Sequence, residues 1–383
     1  IAIGYQAMKT GDVSGADNVA MGSLALEDLT TGASNVAVGK SAALNLTTGT
    51  SNVAVGDLAI GDGTATGDKN TAIGYSAMKA LTSGAGNVAI GSQALLKATT
   101  NVHNIAIGTS ALSSTINDGN NNIAIGKNAI NAGDVSGNSN IGVGADSLKV
   151  LTSGTRNIAV GSGSMGKGTV TGNDNIAMGK FALEDITSGF SNIAIGSGSQ
   201  ANVTSNRSNI AIGQHTFAAS INDGDKNIAI GYQAMKTGDV SGDNNIALGV
   251  SALDDLTSGT SNIALGSGAA LNLTTGGENV AIGHESMAAG ITTGNNNVAI
   301  GNSPGSNITA GTENVFIGTS AGASATDNVD NIAIGHDAYK ASANDGDKNI
   351  AIGTGAMKTG DVSGANNIAI GELSLDDITT GTN

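Results

Sequence analysis

One pentapeptide, Asn-(Ile/Val)-Ala-(Ile/Val)-Gly, recurs along the whole sequence and constrains the fold more than any other feature. Two of its forms are NVAMG at 18–22 and NIAIG at 227–231. The closing glycine occurs 22 times, from Gly4 to Gly371, at intervals of 17 or 18 residues. A fixed short period is typical of solenoids, in which each repeat mainly contacts its neighbours. We therefore predict one elongated repeat domain over residues 1–383, although this length alone would suggest two or three globular domains.

Each repeat is expected to form a coil with two short strands. The letters NIAI alternate polar, apolar, small and apolar residues, with the period of two that indicates a β-strand. A second strand is expected around the following (Ala/Ser)-(Leu/Met) pair, as in LALEDL at 24–29, and Gly/Asn/Asp/Ser clusters mark the turns. The sequence thus predicts an all-β fold, a two-sided parallel β-solenoid of about 22 coils of 17–18 residues. Its coils would lie about 4.8 Å apart, with pairs such as Ile228 and Ile230 buried inside.

Two other repeat architectures fit the sequence less well. A helical array is disfavoured because apolar residues do not sustain a period of 3.6 and glycine recurs too often. A three-sided helix of hexapeptides also has 18 residues in each coil, but it would show three related hexads where this chain has one (Ile/Val)-Gly pair.

Composition excludes several classes of protein. A hydrophobic content of 39% is too high for a disordered chain, and a single proline excludes collagen and proline-rich linkers. The formal charge of −15 argues against binding nucleic acid or an anionic membrane through a basic patch. Cysteine is absent, which excludes disulfides and thiolate chemistry. No apolar run is long enough to cross a bilayer.

An asparagine precedes every strand, and stacked coils would place these amides one above another. Each amide could donate to one neighbour and accept from the next, as in the asparagine ladders of cross-β stacks. The alternative is that asparagine merely suits a turn, because it tolerates the left-handed conformation. We predict a structural ladder that includes Asn18, Asn35, Asn52, Asn70, Asn87, Asn104, Asn122, Asn157, Asn227, Asn245 and Asn367.

The central residue of the strand motif is alanine in 20 of 22 copies, with Gly142 and Phe316 as the exceptions. A solvent-facing strand position should vary more than this, so something must pack closely against it. If the Ile/Val face is buried, the close neighbour of the alanine is another chain. The alternative is a monomer with alanine inside and the Ile/Val face partly covered. The proposed interchain face comprises Ala20, Ala37, Ala54, Ala106, Ala211, Ala229, Phe316 and Ala369.

Residues that could carry chemistry are scattered. The four histidines, His103, His215, His284 and His336, lie many coils apart, so no metal cluster or Ser-His-Asp arrangement is expected, nor any enzymatic activity. Acidic pairs stand in one phase of the coil and are interpreted as a solvated turn face: Glu27–Asp28, Glu184–Asp185, Asp254–Asp255 and Asp376–Asp377.

The pattern gives poor support for three kinds of ligand. The Asp/Gly turns INDG (116–119, 221–224) and GDVSG could hold Ca²⁺, but they do not match the nonapeptide of calcium-binding β-rolls. No other cofactor is expected. Threonine pairs such as Thr30–Thr31 suggest an ice- or mineral-binding rod, but many coils lack them. Stacking on sugars is poorly served by four Tyr and four Phe.

The repeat resembles two related families. The motif Asn-(Ile/Val)-Ala-(Ile/Val)-Gly resembles the head repeats of trimeric autotransporter adhesins, in which three chains form left-handed parallel β-rolls. The longer unit NIALGVSALDDLTSGTS at 245–261 is similar to repeats in bacteriophage tail-fibre proteins. This resemblance covers the whole chain and implies a left-handed homotrimer on a virion or cell surface.

The sequence begins at Ile1, in mid-motif, and ends on Asn383, which would open another copy, so we expect a fragment of a longer fibre. The expected function is the structural shaft of an extracellular, phage-like attachment fibre without chemistry of its own, whose contact with the host surface lies elsewhere. The alternative is an adhesin head that contacts host surface or matrix directly.

Overall fold

The computed structural model describes residues 1–9, 13–61, 63–114, 119–131, 135–218, 224–238, 240–340, 346–359 and 363–377. The chain forms two compact units, Ile1–Ser191 and Asn192–Asn383. Both are all-β parallel solenoids, and the described residues contain no helix.

The described residues of each unit contain eleven short strands, one in each coil. The strands of the first unit are β1 (Ala2–Ile3), β2 (Val19–Met21), β3 (Val36–Val38), β4 (Val53–Val55), β5 (Thr71–Ile73), β6 (Val88–Ile90), β7 (Ile105–Ile107), β8 (Ile123–Ile125), β9 (Ile141–Val143), β10 (Ile158–Val160) and β11 (Ile176–Met178). Those of the second unit are β12 (Ile193–Ile195), β13 (Ile210–Ile212), β14 (Ile228–Ile230), β15 (Ile246–Leu248), β16 (Ile263–Leu265), β17 (Val280–Ile282), β18 (Val298–Ile300), β19 (Val315–Ile317), β20 (Ile332–Ile334), β21 (Ile350–Ile352) and β22 (Ile368–Ile370).

Within each unit, consecutive strands pair in parallel and in register, as the sequence predicts. Ala211 of β13 lies opposite Ala229 of β14, which in turn lies opposite Ala247 of β15. Because the motif has constant length, equivalent residues stack in columns along the unit. Changes of coil length between 17 and 18 residues therefore fall outside the strand.

The second side of the coil is not a regular strand, so that prediction is wrong. Residues after the closing glycine form turns in which alternate residues have positive φ, for example Leu24 (61°) and Leu26 (51°). Bulky residues ordinarily avoid this region. Their backbone groups form hydrogen bonds between coils. The Leu24 N–H donates to the Tyr5 carbonyl (2.8 Å), and the Leu26 N–H donates to the Ala42 carbonyl (3.1 Å). Five isolated parallel bridges add to these links among the described residues.

The closing glycine of the motif is required by its backbone. Gly231, for example, has φ of +137°, and an added Cβ would lie 2.3 Å from the carbonyl oxygen of Gly249 in the next coil. Only glycine adopts this conformation readily, and only glycine lets successive coils approach so closely. This explains why the residue recurs once in each coil.

The strands turn their central residue inward, opposite to the prediction. Ala229 is 1% exposed, whereas Ile228 and Ile230 on either side are only half-buried. The interior is filled from the second side by residues such as Leu26 and Leu29, both fully buried. A thin coil has room for one layer of large side chains, and that layer comes from the second side, which leaves only small residues in the strand.

Candidate functional site

The asparagine before each strand belongs to a hydrogen-bonded ladder within each unit. Asn157 Nδ2 donates to Asn140 Oδ1 (3.2 Å) in the preceding coil and to the Gly172 carbonyl (2.8 Å) in its own coil. Its Oδ1 accepts from the backbone N–H (3.0 Å) and Nδ2 (3.1 Å) of Asn175. Asn157 is fully buried. Because both amide hydrogens and both lone pairs are used, this side chain has no capacity left for a ligand.

The same arrangement runs through both units. In every step the backbone N–H of one asparagine donates to Oδ1 of the asparagine before it, at 2.7–3.1 Å. The amide of Asn104, Asn122 and Asn227 donates to a glycine carbonyl of the array. The members are Asn18, Asn35, Asn52, Asn70, Asn87, Asn104, Asn122, Asn140, Asn157 and Asn175 in the first unit, and Asn192, Asn209, Asn227, Asn245, Asn262, Asn279, Asn297, Asn314, Asn331, Asn349 and Asn367 in the second.

The proposed alanine interface is wrong, because these side chains point into the coil that carries them. Each is at most 2% exposed: Ala20, Ala37, Ala54, Ala106, Ala211, Ala229, Phe316 and Ala369. Gly142 shows what this position faces, since a Cβ there would lie 3.0 Å from Ile130 Cγ1 and 3.1 Å from Ser147 Oγ on the second side. Alanine recurs because it fits beneath these side chains, so no second chain is needed to explain it.

Phe316 is accommodated by two glycines. Its ring occupies the space next to Gly305 and Gly322, where an added Cβ would lie 2.9 Å and 2.6 Å from ring carbons. These glycines hold the position that is Leu or Met in many other coils, such as Leu253. One large residue from the strand therefore replaces two from the second side, and Phe316 stays fully buried.

The outward face of the strands is a candidate interaction surface, here called the Ile/Val face. It consists of the two residues that flank the buried centre of each strand, and in β2 to β22 they are Ile, Val, Leu or Met except for Thr71. Several are substantially exposed, including Met21 (42%) and Met178 (43%) in the first unit and Leu248 (37%) in the second. A contiguous apolar strip of this kind is typical of an interaction surface.

The acidic pairs hold neighbouring coils together. The Thr237 hydroxyl donates to the Asp254 carbonyl (3.0 Å) and to the Asp255 carboxylate, and the Thr237 N–H donates to the Asp254 carboxylate (3.1 Å). Thr359 makes the same bonds to the pair Asp376–Asp377. Burial raises the pKa of Asp254, which the hydrogen bonds from Thr237 partly offset. The pairs are thus part of the inter-coil bonding as well as of a solvated turn face.

Histidines and acidic residues do not converge in the described part of the chain. There, no three side chains of His, Cys, Asp or Glu are grouped so that they could hold a metal ion. His284 and His336 each lie near the acidic residue that follows in sequence, Glu285 (3.9 Å) and Asp337 (3.6 Å). The aspartates of the INDG and GDVSG turns lie outside the described residues, so the Ca²⁺ prediction stays a prediction.

Asp337 is the most enclosed carboxylate of an ion-pair cluster. Its side chain is 7% exposed and lies 2.8 Å from Lys340 Nζ and 3.1 Å from Lys358 Nζ of the next coil. Burial acts to raise the pKa of Asp337, but the hydrogen bonds from both lysines outweigh it, so the pKa is lowered. The cluster joins two coils, as the acidic pairs do, and sequence spacing gave no sign of it.

No protein-family model matches this chain, and a search of curated proteins finds no match. Within the described residues, no helix is long and apolar enough to span a bilayer.

Proposed function

We propose that this chain is a structural shaft segment of an extracellular attachment fibre, similar to bacteriophage tail fibres and displayed on a virion or cell surface. The observation that carries the proposal is the coil repeat itself. In the described part of each unit, eleven strands stack in register, and the polar groups of the ladder bond to neighbouring coils. At about 4.8 Å for each coil, ten steps give each unit a length of about 48 Å. Adding coils lengthens such a segment without new chemistry, which suits a spacer.

The proposed partner is a further copy of the same chain, docked through the Ile/Val face. An exposed apolar strip with a constant rise is matched best by a surface with the same rise, and another copy of the chain provides one. Burying it would remove from water side chains such as Met178 (43% exposed) and Leu248 (37% exposed). Three copies are proposed because the motif resembles the trimeric adhesin repeats. Alanine takes no part in this interface.

Light scattering on the intact chain tests the proposal. We expect three times the chain mass of 37.1 kDa at micromolar concentration. The double variant Ile228→Glu/Ile263→Glu places charges on the Ile/Val face and should dissociate the oligomer. Ser258→Glu adds a charge at an exposed position outside the strands and should leave the mass unchanged. A well-folded parent chain that stays monomeric would contradict self-association.

The alternative function, an adhesin head, requires a recognition site on the array itself. A cleft beside Phe181 is the specific observation that favours it. Host attachment through segments outside this chain remains part of the shaft proposal.

A further inference from the structure

A cleft of about 300 Å³ opens on the second side of the first unit. It lies where the coil that begins at Asn157 carries the small residues Gly163 and Gly166 instead of large ones. The preceding coil supplies one wall and the following coil supplies the other. The cleft is therefore one coil wide.

An aromatic ring forms one wall of the cleft. Phe181 is 37% exposed, and its ring lies against the backbone of Gly163, where an added Cβ would be 2.7 Å from Cδ1 and Cε1. Lys180 Nζ lies 4.7 Å from the ring centroid. Because Lys180 is exposed and flexible, a ligand can take its place over the ring. An exposed phenylalanine offers an apolar plane to a ligand.

Two ion pairs flank the ring. Lys149 Nζ lies 3.1 Å from Asp146 Oδ1 in the preceding coil, and Lys167 Nζ of the middle coil lies 2.9 Å from Glu184 Oε1 in the following coil. Burial acts to raise the pKa of Asp146, but hydrogen bonds from Lys149 and Asn128 lower it overall, so this carboxylate stays ionised at neutral pH. Each of these two ion pairs is neutral, so the pairs themselves favour neither an anion nor a cation as the ligand.

The charged groups of the two ion pairs alternate between hydrogen-bond acceptors and donors. A carboxylate accepts, and the ammonium beside it donates, so each ion pair matches two neighbouring hydroxyl groups. A pocket with one apolar surface and a few convergent polar groups fixes both the position and the orientation of a ligand. A pyranose ring has this combination, since its C–H groups form an apolar face and its hydroxyls lie around the rim.

We propose that the cleft between Asp146/Lys149 and Phe181/Glu184 binds one pyranose ring of a neutral carbohydrate. The C–H face of the sugar would lie against Phe181, and adjacent hydroxyls would bond to the Lys149–Asp146 and Lys167–Glu184 pairs. This inference goes beyond the shaft role and does not depend on it. The cleft lies within one chain, so a monomeric chain could bind the sugar and an oligomeric one could fail to.

Saturation-transfer NMR on the full chain tests the proposal directly. The probes are the methyl glycosides of glucose, galactose, mannose and N-acetylglucosamine at millimolar concentration. We expect transfer to the ring C–H protons of at least one of them. Phe181→Leu should weaken that binding about tenfold. Leucine stands at the same position in other coils, for example Leu24 and Leu58, so this variant should fold.

The matched control is Phe190→Leu, which alters another exposed phenylalanine of the same unit outside the cleft and should bind like the parent chain. Glu184→Gln keeps the side-chain volume and should also weaken binding, because it breaks one ion pair. Circular dichroism verifies that each variant is folded. The proposal is overturned if none of the four sugars binds, if Phe181→Leu binds like the parent, or if both phenylalanine variants lose binding equally.

Discussion

Replacing Asn157 with alanine tests whether the ladder stabilises the array. The substitution removes four side-chain hydrogen bonds that link three successive coils. Two partners keep a bond: Asn140 Oδ1 still accepts the backbone N–H of residue 157 (2.9 Å), and Asn175 Nδ2 still donates to Gly189 (2.8 Å). The Gly172 carbonyl and the Asn175 backbone N–H lose the partners described above.

A buried polar group that loses its partner costs about 1–3 kcal/mol, so the two groups together predict a loss of about 2–6 kcal/mol. In a unit of this size, each 1 kcal/mol lowers Tm by about 2–4 °C. Thermal and urea unfolding measure the loss. Thr109→Ala, at an exposed position in the same unit, should change stability by less than about 0.5 kcal/mol.

Hydrogen exchange adds a local measurement to the unfolding data. The amide of Asn175 should exchange faster in Asn157→Ala than in the parent chain, while amides several coils away should be unchanged, because repeats interact mainly with their neighbours. An alanine variant as stable as the control, with unaltered exchange at Asn175, would refute the reasoning and leave the ladder without an energetic role.

Three further predictions test other parts of the account. Phe316→Ala should lose about 3–5 kcal/mol by leaving a cavity, and adding Gly305→Leu should restore part of it; a double-mutant cycle in urea without favourable coupling would contradict the paired packing. Gly231→Ala should lose more than about 3 kcal/mol, because its Cβ would clash with the next coil; a near-native Tm would contradict this. A hydrogen bond with Asp330 and the charge beside it raise the pKa of Glu313, so the folded state holds a proton more tightly than the unfolded one. Stability should therefore fall as pH rises from about 4 towards 7, and Glu313→Gln should reduce that fall; parallel pH profiles would exclude the pair as its cause.

The sequence predicts the strands well because their signal is local and repeated. An asparagine, three alternating residues and a glycine define each strand, and the structure places a strand at every copy. The ladder can be predicted from the sequence equally well, because in-register stacking follows from a constant motif length. The second side of the coil is harder to predict from the sequence. Its alternating positive φ values, as at Leu24 and Leu26, are not favoured by the residues themselves and are stabilised by bonds between coils.

The direction of the strand faces could not be read from alternation alone. Period two separates Ile228 and Ile230 from Ala229, but it does not say which set lies inside. The side chains on the second side of the coil decide this. The exceptions to alanine at the central strand position show how much space those side chains fill. Phe316 coincides with glycine at 305 and 322. Residues that exchange volume in this way must share a space, so the exceptions mark the central residue as the inner one.

Distances between spin labels test the central claim, the stack of coils, most directly. The chain has no cysteine, so pairs can be introduced without background labelling. Ser34 and Asn121 each precede a ladder asparagine and are five coils apart, whereas Ser34 and Ser139 are six coils apart. Pulsed dipolar spectroscopy on cysteine pairs at these positions, diluted with unlabelled chain, should give about 24 Å and about 29 Å, an increase of one coil spacing. Distances that do not increase with the number of coils would contradict the parallel solenoid.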